Sequence, residues 1–327
     1  LFKNLLVYRL APEWSGDLAA LDDGLDKARF LPCGATQPIA LGWVPPRGDA
    51  HGPLVETIGG HWLLKLMVER KVLPGAVVKR RTEELAARIE QETGRKPGKK
   101  QSKELKEQVV LELLPMAFTK QAATWVWIDP KGGFLMVDAA SPGKADEVIT
   151  ALVKAADGLA VLPLHTAMSA GAAMTDWLAT GEPPAMFTID RDCELKSADE
   201  MKSVVRYARH PLDIEEVRQH IADGKLPTKL ALTWQARVSL LLTDTMQLKK
   251  LQFLDVVFEG HKPGKEEAFD ADVAIATTEL ARLIPELIEA LGGEQAPGSP
   301  PAPAAPVAVP LAAAPASQTP TETAPWD

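Results

Sequence analysis

Cysteine is nearly absent: Cys33 and Cys193 are the only two in 327 residues, far apart and without a Cys-x-x-Cys partner. Such spacing excludes a disulfide framework and a thiolate metal site, and leaves two free thiols expected in the interior. No window approaches the roughly 18 consecutive apolar residues that a membrane span requires. Residues 1–9 are too short and too charged to read as a signal peptide, so a cytoplasmic bacterial-type protein is expected.

Several catalytic signatures are missing too. There is no Gly-x-x-x-x-Gly-Lys-Ser/Thr loop, no His-Glu-x-x-His pair and no Gly-x-Ser-x-Gly elbow. Their absence excludes P-loop nucleotide hydrolysis, zincin chemistry and the serine-hydrolase elbow. No recognition-helix or zinc-finger pattern is present either. The histidines His51, His61, His165, His210, His220 and His261 are scattered and read as surface or satisfied side chains. Asp129, Asp138, Asp270 and Asp272 are the acids to weigh for a metal-dependent nuclease. They fall in a hairpin turn, at a strand end and in a pre-helix loop, where aspartate ordinarily caps and turns. A protein without catalytic residues, cofactor or metal is the expectation.

What is present is a globular composition, 46% hydrophobic and 24% charged, long enough for about two or three domains. The net charge is −8, yet residues 79–120 hold eleven basic side chains against seven acidic ones, a net of +4. The remainder therefore carries −12. Charge separated in this way suits one positive surface offered to a polyanion.

That island reads as a helical hairpin. Residues 83–93 carry Leu85, Ala86 and Ile89 on one face with acids in the first turn, and Pro97-Gly98 breaks the chain. Ser102 then suits the cap of a second helix bearing Leu105, Val109 and Leu113, which Pro115 stops. Each helix would span roughly 15 to 20 Å and project as an arm, with Lys99, Lys100 and Lys103 at or near its turn. The same charges equally suit an arm that is merely solvated.

Elsewhere strand and helix patterns alternate. Residues 124–128 and 134–137 read as a β-hairpin around Asp129-Pro130-Lys131-Gly132-Gly133, and residues 229–234, 238–243 and 248–253 as a second antiparallel set. Helical stretches fall at 144–156, 176–180 and 214–223. A last helix at 279–291 has Thr278 as candidate N-cap and Gly292 as C-cap, with a kink expected at Pro285. From Glu294 the chain turns Ala/Pro-rich and should be disordered. The fold class is α+β, antiparallel sheets with flanking helices. The expected units are 1–78 as the first part of a central domain, 79–121 as a basic tip, 122–165 returning to the centre, 166–293 as a second α+β domain and 294–327 as a tail.

Seven strings sharpen this reading. They are Phe2-Lys3-Asn4-Leu5-Leu6-Val7-Tyr8-Arg9, Phe30-Leu31-Pro32-Cys33-Gly34, Gly42-Trp43-Val44-Pro45-Pro46, Leu113-Leu114-Pro115-Met116-Ala117-Phe118, Trp127-Ile128-Asp129, Leu230-Ala231-Leu232-Thr233-Trp234 and Ile288-Glu289-Ala290-Leu291-Gly292-Gly293. In order and spacing, over about residues 1 to 294, the chain resembles the RdgC family of recombination-associated proteins. The resemblance implies a cytoplasmic, nucleoid-associated protein that binds double-stranded DNA without sequence preference. It also implies a homodimer closed as a ring around the duplex, restraining RecA-driven recombination by competition for DNA.

Residue by residue, Phe118 matches the family's aromatic at a loop tip that docks into the partner subunit. Met116 stands where an arginine is common, which removes one phosphate contact from that loop. Lys79, Lys106, Arg95 and Lys96 match basic positions of the pattern; Lys99, Lys100 and Lys103 match its general basic character. Arg80 and Arg81 lie in the same island, and Arg206 and Arg209 fall in a segment also basic in relatives. The alternative is a protein-binding adaptor that acts through RecA or another repair protein, with the Pro-rich tail as docking segment.

Overall fold

Alternation of apolar residues at period two builds most of this molecule. The computed structural model describes residues 1–14, 16–199, 201–259 and 268–295. The first half holds β1 (Leu5–Leu10), α1 (Leu18–Asp26), β2 (Ile39–Val44), β3 (Glu56–Ile58), β4 (His61–Val72), α2 (Gly75–Thr93) and α3 (Lys99–Leu113). Next come β5 (Phe118–Asp129), β6 (Phe134–Asp138), α4 (Pro142–Ala155), β7 (Val161–Pro163), α5 (Ala170–Thr180), β8 (Phe187–Ser197) and β9 (Val204–Tyr207). The last are α6 (Glu215–Ala222), β10 (Lys225–Trp234), β11 (Val238–Thr243), β12 (Leu248–Phe253) and α7 (Ala268–Ala290). The class is α+β, as expected.

The strands run in the order β2-β4-β5-β6-β1-β12-β11-β10-β8-β9, with β3 on β4 and β7 on β1. The two antiparallel sets expected from periodicity are therefore halves of one sheet. They meet where Leu5 of β1 pairs with Leu248 of β12.

Strand alternation sorts β1 between two cores. Leu6 and Leu10 join Leu64, Val126 and Leu135 under Leu21 and Leu25 of α1 and Val148 and Leu152 of α4. Leu5 and Val7 join Leu230, Leu232, Trp234 and Leu240 under Trp177 of α5, Val217 of α6 and Leu280, Leu283 and Leu287 of α7. The two clusters thus lie on opposite faces of the strand. Each fully buried side chain of this size contributes about 1.5–3 kcal/mol. Gly24 lets α1 meet α4, since a Cβ there would fall 1.9 Å from the Ala155 carbonyl oxygen.

α7 begins eleven residues before Glu279, and Thr278 lies inside it rather than at its cap. The buried stripe of Val273, Ala276, Leu280, Leu283 and Leu287 extends the helical period toward the N-terminus, outweighing the local cue of a capping threonine. Gly292, at φ +82°, follows the helix in the left-handed region, as expected for its C-terminal signal. Two carboxylates pin the helix to the β10–β11 turn. Glu279, itself buried, accepts from Arg237 Nε and Nη2 at 2.7 Å each, and Glu286 accepts from Trp234 Nε1.

The ordered body continues past Gly293, because Glu294 pairs with Arg9 and the Gln295 N–H donates to the His165 carbonyl. The tail from residue 296 and His261 lie outside the described residues. Among the described residues no helix is long and apolar enough to cross a membrane.

Candidate nucleic-acid interface

β4 and β5 pair without a break from Trp62↔Ile128 to Val72↔Phe118. The first six residues of β5 are exposed, so this ribbon leaves the core and carries α2 and α3 at its end. The hairpin buries little: only Val78 in α2, and Leu105 and Val109 in α3. At 19 and 15 residues the helices span about 28 and 22 Å, longer than the sequence suggested. α2 starts at Gly75 rather than residue 83, because Val78 opens an apolar seam that Leu85 and Ile89 continue. Its first turn accordingly holds no acid. Gly94 closes it at φ +70°.

Ser102 is not the cap of α3. Gly98 takes that place and offers no side-chain bond, while Ser102 sits one turn inside. The first N–H groups of α3 therefore face outward without a side-chain acceptor, at the end of the helix dipole that attracts anions. Lys99 and Lys100 occupy that same turn where acids are usual. Periodicity missed this arrangement because a serine nearby offered a more conventional cap.

Ion pairing divides the expected contact residues into two groups. Lys79, Arg80 and Lys103 reach Glu83, Glu84 and Glu107 one turn along their helices at 3.8 to 3.9 Å, and Arg81 reaches Glu84 and Glu112 at 3.2 and 2.9 Å. Exposed pairs of this kind contribute about 0.3–0.5 kcal/mol and yield readily to another anion. Among the described residues Arg95, Lys96, Lys99, Lys100 and Lys106 make no ion pair. Four of them, Arg95, Lys96, Lys99 and Lys100, crowd the turn between the helices, all exposed.

Arg206 and Arg209 lie elsewhere, beside β8. Arg206 donates to Glu194 at 2.6 Å across the β8–β9 rung, and Lys229 donates to the same carboxylate at 2.9 Å. Lys229 first, then Arg206, hold the Glu194 carboxyl down at about 2. Arg209 follows the strand at φ +54°, its backbone N–H on Asp192.

Phe118 opens β5 with 87% of its surface exposed, beside Met116 at 70% and across from Val72. It is not an intrachain core residue. Cys193 is buried, and burial pushes its thiol up to about 12. Cys33 corrects the expectation of two interior thiols: it is half-buried, in a loop tied to β4 through the Glu69 carboxylate. Burial and that carboxylate push its thiol up.

The acids weighed for a nuclease are not brought together. Asp129 accepts from the Gly132 N–H within its own turn, Asp138 from the N–H groups of Lys3 and Asn4, and Asp270 from Arg47. Among the described residues no group of three or more His, Cys, Asp or Glu is placed to hold a metal ion.

Comparisons with known proteins cover nearly the whole described length. The family model described as "Putative exonuclease, RdgC" matches residues 1–294. Recombination-associated protein RdgC of Dechloromonas aromatica is 50% identical over 299 residues, covering 90% of this chain and 98% of that protein. The proteins of the same name from Herminiimonas arsenicoxydans and Bordetella pertussis are 47% and 42% identical, each covering 90% of this chain and 99% of its own length. Matched from its first strand through the residues that follow α7, this chain belongs to the RdgC family of recombination-associated proteins.

Proposed function

We propose that the protein binds double-stranded DNA without regard to sequence, encircles it as a homodimer, and restrains RecA-dependent recombination by occupying the duplex. The observation that carries this reading is the hairpin turn, where Arg95, Lys96, Lys99 and Lys100 stand without ion pairs around the uncapped start of α3. Cations and free helix N–H groups that converge on one convex tip suit phosphate oxygens, and neither reads a base edge. An acidic remainder keeps the grip local, since exposed charges more than about 8 Å apart are screened at physiological salt. The Phe118 patch supports the second copy: an aromatic this exposed is costly unless a pocket receives it. Nucleoid association follows from binding to duplex at large.

The reading is one of occupancy rather than cleavage, although the family model's description mentions an exonuclease. It is favoured by Asp129, Asp138 and Asp270 each being engaged with a different partner, the Gly132 N–H, the Asn4 N–H and Arg47. Plasmid DNA incubated with the protein and Mg²⁺ should stay intact; nicking or end resection would overturn this part. For the interface itself, Arg95, Lys96, Lys99 and Lys100 are replaced by Ala and duplex affinity is measured across a salt series. The slope of log K against log salt should flatten by about 0.9 for each phosphate no longer neutralised, equally on unrelated sequences. An unchanged slope rejects the hairpin as the binding surface.

A further inference from the structure

The sheet has an open face. On β10, Leu230, Leu232 and Trp234 point into the core under α5 and α7, so Ala231 between them points the other way. Its partner Leu241 on β11 is 9% exposed yet belongs to neither core cluster. Ala231 and Leu241 line an open cavity of about 420 Å³. That volume lies within the range of about 300–1,000 Å³ typical of small-molecule sites.

Irregularities in the two flanking strands turn cations toward this cavity. In β8, the register runs from Leu230↔Cys193 to Leu232↔Ile189, so Asp190, Arg191 and Asp192 bulge opposite Ala231 alone. In β12, Ser239 pairs with Gln252 but Leu241 with Lys249, so one extra residue is inserted and Lys250 takes φ +51°. Bulges of this kind re-aim side chains and favour functional sites. Arg209 closes the rim at φ +54°. Glycine would relax the backbone at both left-handed positions, yet both carry a cation.

The charges around the rim are uneven. Among the described residues Arg191, Arg209 and Lys250 make no ion pair. Asp190 is committed to the Thr233 hydroxyl and Asp192 to the Arg209 backbone N–H. Three cations against two carboxylates leave the lining at +1, and with Ser239 and Gln252 as polar groups beside Ala231 and Leu241 it suits a phosphate group joined to a flat apolar body.

We propose that this cavity binds the phosphate monoester of a nucleotide, with Arg191, Arg209 and Lys250 on the phosphate and the base over Ala231 and Leu241. Two sources share that chemistry, a free nucleotide and the phosphorylated end of a nucleic-acid strand. Arg209 is also one of the expected duplex contacts, but Arg191 and Lys250 are not, and all three lie outside the hairpin that carries the duplex reading.

The test uses the full chain and adenosine 5′-monophosphate, followed by titration calorimetry. Saturable binding is expected, and the Lys250→Gly, Arg209→Gly double variant should weaken it at least about tenfold, since each change removes a charge-assisted hydrogen bond to the phosphate. The melting temperature should hold or rise, since glycine suits both backbone positions, which separates damage to the site from damage to the fold. Hairpin variants Lys99→Ala and Lys100→Ala should leave nucleotide affinity unchanged. A short oligonucleotide with and without a 5′-phosphate then assigns the source. A gain from the phosphate that the double variant abolishes identifies strand ends, and nucleotide binding without that gain identifies the free molecule. No saturable binding, equal affinity in the double variant, or inorganic phosphate bound as tightly as the nucleotide would each overturn the proposal.

Discussion

Glu194 accepts from Lys229, Arg206 and the Thr228 hydroxyl, and these partners keep its carboxyl ionised down to about 2, against an ordinary value of 4.5. A carboxyl lowered on folding contributes stability that is whole above the unfolded value and fades as pH falls through the window from 4.5 to about 2. Urea unfolding followed across that window should show the wild type losing stability more steeply than Glu194→Gln. Parallel curves would contradict the assignment. At neutral pH the same substitution should cost about 1 kcal/mol, the charge-assisted bonds being partly screened by solvent. Nothing in one dimension announces this cluster. Arg206 reads in sequence as a free cation in a basic segment, and only the β8–β9 register sets Glu194 across from it. Phe118 is more legible, because an aromatic after a Pro-terminated helix carries a local signal that does not depend on distant partners.

At the scale of elements, the hairpin should behave as a unit that opens by itself. Its buried side chains come down to Val78, Leu105 and Val109, whereas α7 alone buries nine residues. Replacing Leu105 and Val109 together by Ala should therefore speed amide exchange through α2 and α3 while leaving α7 protected. The local cost is roughly 2–4 kcal/mol, at the lower end for sites that can collapse toward solvent. Equal acceleration in both regions would show that the arm is coupled to the body. Helix ends are readable where backbone chemistry is local: Pro97-Gly98 does separate α2 from α3, and Gly292 does follow α7 in the left-handed region. Starts are not, because neither Pro74 nor Gly98 makes a side-chain capping bond, so α2 and α3 begin without the usual residue signature.

For the whole molecule, the proposed closure of a ring by a second copy is what to measure. Phe118→Ala should lower the mass measured by light scattering, or weaken assembly on dilution. It should reduce retention on closed circular DNA more than on short linear fragments, because a ring holds a circle by topology and a fragment only by surface attraction. Equal reductions on both would remove the topological element. Deleting residues 296–327 should leave duplex affinity intact, which distinguishes encirclement from an adaptor that works through its tail. Fold class and most strand cores are legible in the sequence, since period-two alternation survives in any context. The placement of β12 beside β1 is not: pairs such as Leu5↔Leu248 join residues that nothing local connects.

That seam has a consequence for how the protein is made. β1 leaves the ribosome before every strand it pairs with: residues 134–138, then 161–163, and finally Leu248. Leu5 and Val7 share their core with Leu280, Leu283 and Leu287 of α7, which are made more than two hundred residues later. Until then a nascent chain displays a half-dressed strand edge, prone to pairing with its neighbours on a polysome. Chaperone demand should therefore last until α7 is made, and messages truncated before α7 should yield aggregates rather than half-molecules.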